Sequence, residues 1–117
     1  MSDDDLADRT ERFAREVRAS VRSLPRTVSN REDIKQLVRS SGSVAANQIE
    51  ADNALGQKDR VMRFRICRKE ARESGLWIRL VHSGENEDVS SARDRLEDES
   101  QQLMKIYSTI IARLGGS

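Results

Sequence analysis

The sequence contains one cysteine, one histidine and one proline in 117 residues, and aromatic side chains account for only 3% of it. A single cysteine excludes an internal disulfide. One histidine cannot supply the paired Glu-x-x-His motifs of di-iron bundle proteins, so we expect no metal site and no cofactor. No stretch approaches the roughly 20 apolar residues of a membrane-spanning helix, so we expect no membrane role.

Residues for catalysis are also scarce. Cys67 has no histidine near it in the sequence and lies on an apolar helical stripe, which is typical of a small buried side chain. The glycines form no phosphate-binding loop. The N-terminal residues Ser2-Asp3-Asp4-Asp5 are acidic and no apolar run follows them, so we expect no signal peptide and a cytoplasmic protein.

Three carboxylates, Glu50, Glu70 and Glu73, lie in the two most distinctive segments of the chain. They could form an acid–base cluster, but such chemistry also needs a pocket and a second group with a separated pKa. We favour the alternative that they pair with arginines at a subunit boundary, for example with Arg39. We therefore predict no catalytic residues and no enzyme.

Charged residues make up 35% of the chain, yet the net charge is only +1. The molecule as a whole therefore has no strong attraction to nucleic acid. Arginine outnumbers lysine by 17 to 4. Arginine favours bidentate partners such as phosphate or carboxylate, although a GC-rich genome would raise the arginine content in the same way.

Many charges, few aromatics and a single proline are typical of long helices packed as a bundle. The length suits one domain. Helical periodicity and short polar links predict an all-α fold, an antiparallel up-down-up-down four-helix bundle. The predicted helices span residues 4–24, 30–54, 58–82 and 88–114.

Signals at the helix ends support these bounds. Asp3 to Asp5 suit the start of helix 1, and Pro25 ends it. Ser29-Asn30-Arg31-Glu32 has the form of a capping box for helix 2. Gly56 is predicted to end helix 2, and His82 to cap the C-terminus of helix 3.

Apolar stripes predict which side of each helix faces the core. In helix 1 the stripe is Leu6, Phe13, Val17, Val21 and Leu24. In helix 3 it is Phe64, Cys67, Ala71, Ile78 and Val81. In helix 2 the stripe is Ile34, Leu37, Val38, Val44, Ala45, Ile49 and Leu55. In helix 4 it is Val89, Ala92, Leu96, Leu103, Ile106 and Ile110, and it widens toward the end of the helix with Met104, Tyr107, Ile111 and Leu114.

Helix 3 carries two further faces. One is a second apolar stripe, Met62, Ile66, Trp77 and Leu80, which suggests burial against another copy of the chain. On helix 2, small and polar residues would let the backbone of another copy come close. The third face is basic and contains no acidic residue; it could be a solvated or ion-paired face, or a phosphate-binding surface. We name it the basic face: Lys58, Arg65, Arg68, Lys69, Arg72 and Arg79. The predicted oligomer interface is Arg39, Ser43, Ala46, Asn47, Glu50, Met62, Ile66, Glu70, Glu73, Trp77 and Leu80.

Two segments resemble a known family. Residues 39–47, followed by Glu50-Ala51, are similar to the R-S-G-x-S-x-x-A-N-x-x-E-A signature of a four-helix bundle family named for proteins encoded in intervening sequences of ribosomal RNA genes. One extra serine stands beside the usual Ser-Gly pair. Residues 69–74, with Trp77, resemble the family's K-E-A-x-E-T-x-x-W-L stretch, with Ile78 in place of leucine.

The resemblance implies a left-handed bundle that assembles as a homopentameric ring. A related member, the accessory protein of diversity-generating retroelements, binds nucleic acid and a reverse transcriptase through a basic surface. We therefore expect a non-enzymatic oligomer that binds the backbone of RNA or DNA without reading bases. The alternative is a scaffold for an unknown protein partner, with no nucleic-acid role.

Overall fold

The computed structural model describes the backbone of residues 3–117 and the side chains from residue 6 onward, and this part of the chain forms four α-helices. The predicted capping by Asp3 to Asp5 concerns side chains outside the described ones. The helices are α1 (Asp3–Val21), α2 (Val28–Asp52), α3 (Gln57–Leu80) and α4 (Glu87–Arg113). Each lies within three residues of its predicted bounds.

Consecutive helices run in opposite directions. Ser40 in the middle of α2 contacts Ser74 late in α3, whereas Asn47, further along α2, contacts Arg63 early in α3. α2 and α4 each pack against both α1 and α3, which places α1 and α3 diagonally across the bundle. The predicted all-α, up-down-up-down four-helix bundle is confirmed.

The predicted core stripes of α1 and α3 are buried throughout. Phe13 and Val17 are at most 1% exposed, and Leu24 stays buried although α1 ends three residues earlier. Their spacing of three, four and seven residues holds one side of a helix toward the core over its whole length.

The core face of α2 differs from the prediction. Ile49 is 57% exposed and Leu55 is fully exposed, so neither belongs to the core. Gln48 is fully buried instead, because its polar atoms find partners: Tyr107 donates to its Oε1 at 2.7 Å, and its Nε2 donates to Asp52 at 2.9 Å. The buried residues of α2 are Asn30, Leu37, Ser40, Ser41, Val44, Gln48 and Ala51.

The core stripe of α4 is also shifted. Tyr107 and Ile111, predicted only as the widening of the stripe, are fully buried, whereas Ile106 and Ile110, predicted as its centre, are only partly buried. The ring of Tyr107 packs against Phe64 with 5.8 Å between ring centroids. Its hydroxyl is satisfied by Gln48, so a polar residue can occupy the centre of the bundle.

The predicted capping box is wrong. Thr27 is the N-cap of α2, and its hydroxyl accepts from the backbone N–H of Asn30 at 3.1 Å. Asn30 itself is buried and joins two loops: its Nδ2 donates to the carbonyls of Pro25 and His82, and its Oδ1 accepts from the His82 N–H, each at 2.8 Å.

Two further helix-end assignments are corrected by the same geometry. α3 ends at Leu80 with Val81 as its C-cap, so His82 lies beyond the cap and its backbone is held by Asn30 instead. α2 ends before its C-cap Asn53, and Gly56 is the N-cap of α3.

Candidate nucleic-acid interface

The basic face of α3 is accessible from solvent. Five of its six residues are exposed, and Arg68 is partly buried. Four of them recur every seven residues: Lys58, Arg65, Arg72 and Arg79. At a rise of about 1.5 Å per residue they form a row about 32 Å long, with about 10.5 Å between neighbours. We call these four residues the basic row.

Most of this charge is not neutralised by other side chains in the described part of the chain. Arg79 pairs with Glu97 at 3.3 Å, and Arg68 donates to the Ser108 hydroxyl at 3.4 Å and to the Ser117 carbonyl at 3.0 Å. The remaining four cations of the face form no ion pair with any described residue; they are Lys58, Arg65, Lys69 and Arg72.

The row borders the groove between α3 and α4. Arg72, Arg79 and Lys105 surround an open depression that also includes Gly75 and Ser100. A Cβ at Gly75 would lie 2.9 Å from the Ser100 hydroxyl oxygen, so the absence of a side chain is what lets the two helices approach here. Sequence reasoning missed Lys105, which follows Gln101 by one helical turn on α4.

On the other side of α3, the structure brings predicted interface residues together within one chain. Arg39 of α2 pairs with Glu70 at 2.8 Å and approaches Glu73 at 3.6 Å. The Glu70 side chain is 5% exposed and that of Arg39 is 53% exposed. The predicted pairing of these glutamates with Arg39 is therefore present, but it joins α2 to α3 of the same subunit.

A second polar group lies further along the same contact. Arg63 donates to Oδ1 of Asn47 at 3.2 Å, and Nδ2 of Asn47 donates to the Ser43 carbonyl at 2.9 Å. Ser40 and Ser74, which sequence reasoning missed, join their hydroxyls at 2.8 Å. Small side chains at these positions let α2 and α3 pack closely.

The apolar members of the predicted interface are less covered. Met62 is 41% exposed and Leu80 is 54% exposed, whereas Ile66 and Trp77 are half-buried. The indole N–H of Trp77 is buried without a hydrogen-bond partner among the described residues. Ala46 and Glu50 are exposed on α2.

The interior holds no reactive thiol. Cys67 is buried, and its Sγ donates to the Val44 carbonyl at 3.5 Å. Burial raises the pKa of Cys67 to about 12, and burial also raises the pKa of Tyr107. The thiolate that would act as nucleophile is therefore disfavoured. Within the described residues no cluster of three metal-ligating side chains is found.

Comparison with solved structures gives an informative match. Neither a family model nor a curated protein matches the sequence. The chain is similar to a crystal structure of a protein of unknown function from the S23 ribosomal protein family of Bacteroides thetaiotaomicron, with 27% identity and a TM-score of 0.75. The match covers 96% of this chain and 99% of that one. It supports a relationship to that family.

The relationship extends over nearly the whole bundle, so it concerns the complete arrangement of four helices. Because the neighbour has no known function, it brings no activity to this chain. No helix in the described part of the chain is long and apolar enough to cross a bilayer.

Proposed function

We propose that this protein binds the phosphate backbone of RNA or DNA through the basic face of α3. The observation that carries the proposal is a set of four exposed cations that form no ion pair with any described residue, in a chain whose net charge is only +1. Unpaired cations on one face create a local positive potential. Phosphates that bind there release counterions, which provides the driving force.

The composition of the face favours contact with the backbone over recognition of bases. None of its six residues is aromatic, and Leu76, which lies between Arg72 and Arg79 in the sequence, is an apolar residue that is 39% exposed. Phosphate contacts position a protein on nucleic acid without reading sequence. The sequence resemblance to the intervening-sequence family, and through it to a retroelement accessory protein with a basic surface, agrees with such a role.

We also propose that the chain assembles with copies of itself. Met62 and Leu80 leave an apolar surface uncovered beside α2, next to the half-buried Ile66 and Trp77. The family resemblance favours a pentamer. A ring would repeat the basic face around its axis and raise the affinity for a long nucleic acid through avidity.

The binding experiment replaces Arg65 and Arg72 together by glutamine. If each meets one phosphate, the slope of log affinity against log salt falls in magnitude by about 1.4 for a single strand or about 1.8 for a duplex. The matched control is Arg12→Gln with Arg22→Gln, which removes the same charge from two exposed positions, one on the diagonal helix α1 and one in the turn that follows it.

Equal losses in both double variants would exclude the basic face as the site. A wild-type protein that binds neither RNA nor DNA at low salt would contradict the proposal and favour the scaffold alternative. Light scattering coupled to size exclusion is run on every variant, because a change in assembly alone would alter avidity.

Assembly has its own test. Ala46→Glu places a charge within the predicted interface without touching the core, so we expect a smaller assembly with unchanged helicity. Light scattering and circular dichroism measure the two quantities. A wild-type monomer at micromolar concentration would contradict self-assembly.

A further inference from the structure

We propose that the nucleic acid bound by the basic face is single-stranded and lies along the groove between α3 and α4. This inference rests on the proposed function and adds the form of the ligand. It follows from three features of the surface: the straightness of the basic row, the position of the neighbouring helices, and the cation that α4 adds to the groove.

The row is nearly straight. Residues seven apart on an α-helix drift by only about 20° per step, so Lys58, Arg65, Arg72 and Arg79 stay on one side of α3. A single strand has no fixed curvature, and it can follow all four cations. At about 3.4 Å per phosphate, a stacked strand of roughly nine nucleotides covers the row.

A duplex fits the row less well. Each strand of a B-form duplex crosses a line parallel to its axis once per turn of about 34 Å, so a row of this length meets about two backbone crossings. About half of the cations of the basic row would then face a groove of the duplex and would meet no phosphate. Entry into the major groove requires a protruding helix, but α3 is flanked by α2 and α4.

Side chains of α4 form the second side of the groove in which we place the single strand. Lys105 faces Arg72 and Arg79 across the depression, and Gln101 also borders it. A second open depression brings Lys58 and Arg65 beside Gly116. Leu76, 39% exposed and between Arg72 and Arg79 in the sequence, can contact sugars or bases without selecting among them. Positive grooves of this kind follow the backbone of single strands.

The experiment measures fluorescence anisotropy with labelled 20-nucleotide oligo-dT and oligo-U and with a 20-base-pair duplex, over a series of salt concentrations. We expect single strands to bind about tenfold more tightly at low salt, because they meet about twice as many cations. The expected slope magnitude is about 2.8 for a strand that meets the four cations without an ion pair among the described residues, Lys58, Arg65, Arg72 and Lys105, and about 1.8 for a duplex that meets two.

Oligo-dT and oligo-U should bind alike, because the shared ligand is the phosphodiester backbone. Lys105→Gln should weaken single-strand binding more than duplex binding, whereas Arg12→Gln on α1 should change neither. Equal or tighter duplex binding would overturn this inference and leave the proposed function standing. Binding to none of the three ligands would overturn both.

Discussion

The two sides of α3 use the same kind of residue in opposite ways. On the side that faces α2, charged side chains have partners within the chain: Arg39 pairs with Glu70 and Glu73, and Arg63 donates to Asn47. Toward α4, most cations have no acidic partner within the described residues. The difference shows that the number of arginines says little about binding, whereas their pairing decides which of them can meet a ligand.

The largest expected effect is a pH dependence of the stability, and it comes from Cys67 on the buried face of α3. Burial raises the pKa of Cys67 from its ordinary value of 9.0 to about 12, so the folded state holds a proton that the unfolded state loses. This contribution is complete below pH 9 and is lost as the pH rises toward 12, at up to about 1.4 kcal/mol per pH unit. Urea unfolding of wild type and Cys67→Ala at pH 8 to 11 measures the difference.

We expect the wild-type free energy of unfolding to fall more steeply than that of Cys67→Ala above pH 9. Tyr107 contributes to the slope of both proteins, because burial raises its pKa too. Parallel profiles would indicate that the thiol is open to water, and the contrast between the two sides of α3 would then weaken.

The second effect tests the ion pair between α2 and α3. Arg39→Ala leaves the buried carboxylate of Glu70 without its partner, and we expect a loss of about 2 kcal/mol in stability. The value is below that of a fully buried pair because Arg39 is half-exposed. Adding Glu70→Ala should restore part of the loss, since no buried unpaired charge then remains; Glu73, the other partner of Arg39, is 40% exposed and stays hydrated. A loss for the double variant equal to the sum of the two single losses would exclude coupling.

The third effect tests the close approach of α3 and α4. The Cβ of Gly75→Ala would lie 2.9 Å from the Ser100 hydroxyl oxygen, and overpacking of this kind costs about 1–3 kcal/mol. The better helix propensity of alanine offsets up to about 1 kcal/mol. Removing the hydroxyl by Ser100→Ala should rescue the variant. Thermal unfolding of the three variants checks this, and an unrescued loss would point to Arg79, the other nearby group.

The smallest expected effect on stability is that of Arg72→Ala, the counterpart of Arg39→Ala on the side of α3 that faces α4. Arg72→Ala removes an exposed cation without an ion pair among the described residues, so stability should change by less than about 0.5 kcal/mol. Nucleic-acid affinity should nevertheless fall. Urea unfolding and anisotropy on the same preparation separate the two outcomes. A large loss of stability would mean that the basic face serves the fold.

Four helices, their order and the core stripes of α1 and α3 could be predicted from the sequence, because apolar spacing fixes one face along a helix. The basic face could be predicted as well, since the absence of acidic residues on it is a property of the chain. The sequence does not decide whether this face is exposed to solvent, because periodicity does not show which helices are neighbours.

The tertiary structure alone decided how α2 and α4 meet the core. Periodicity places Tyr107 in the wider part of the α4 stripe, but it does not predict the burial of Gln48. Gln48 is buried because the Tyr107 hydroxyl satisfies its side chain across the bundle, and no pattern within one helix reveals such a partner. The same reason explains why Arg39 meets Glu70 in its own chain and why Lys105 joins Arg72 and Arg79. Contacts between residues distant in sequence depend on the register of packed helices, which only the folded chain sets.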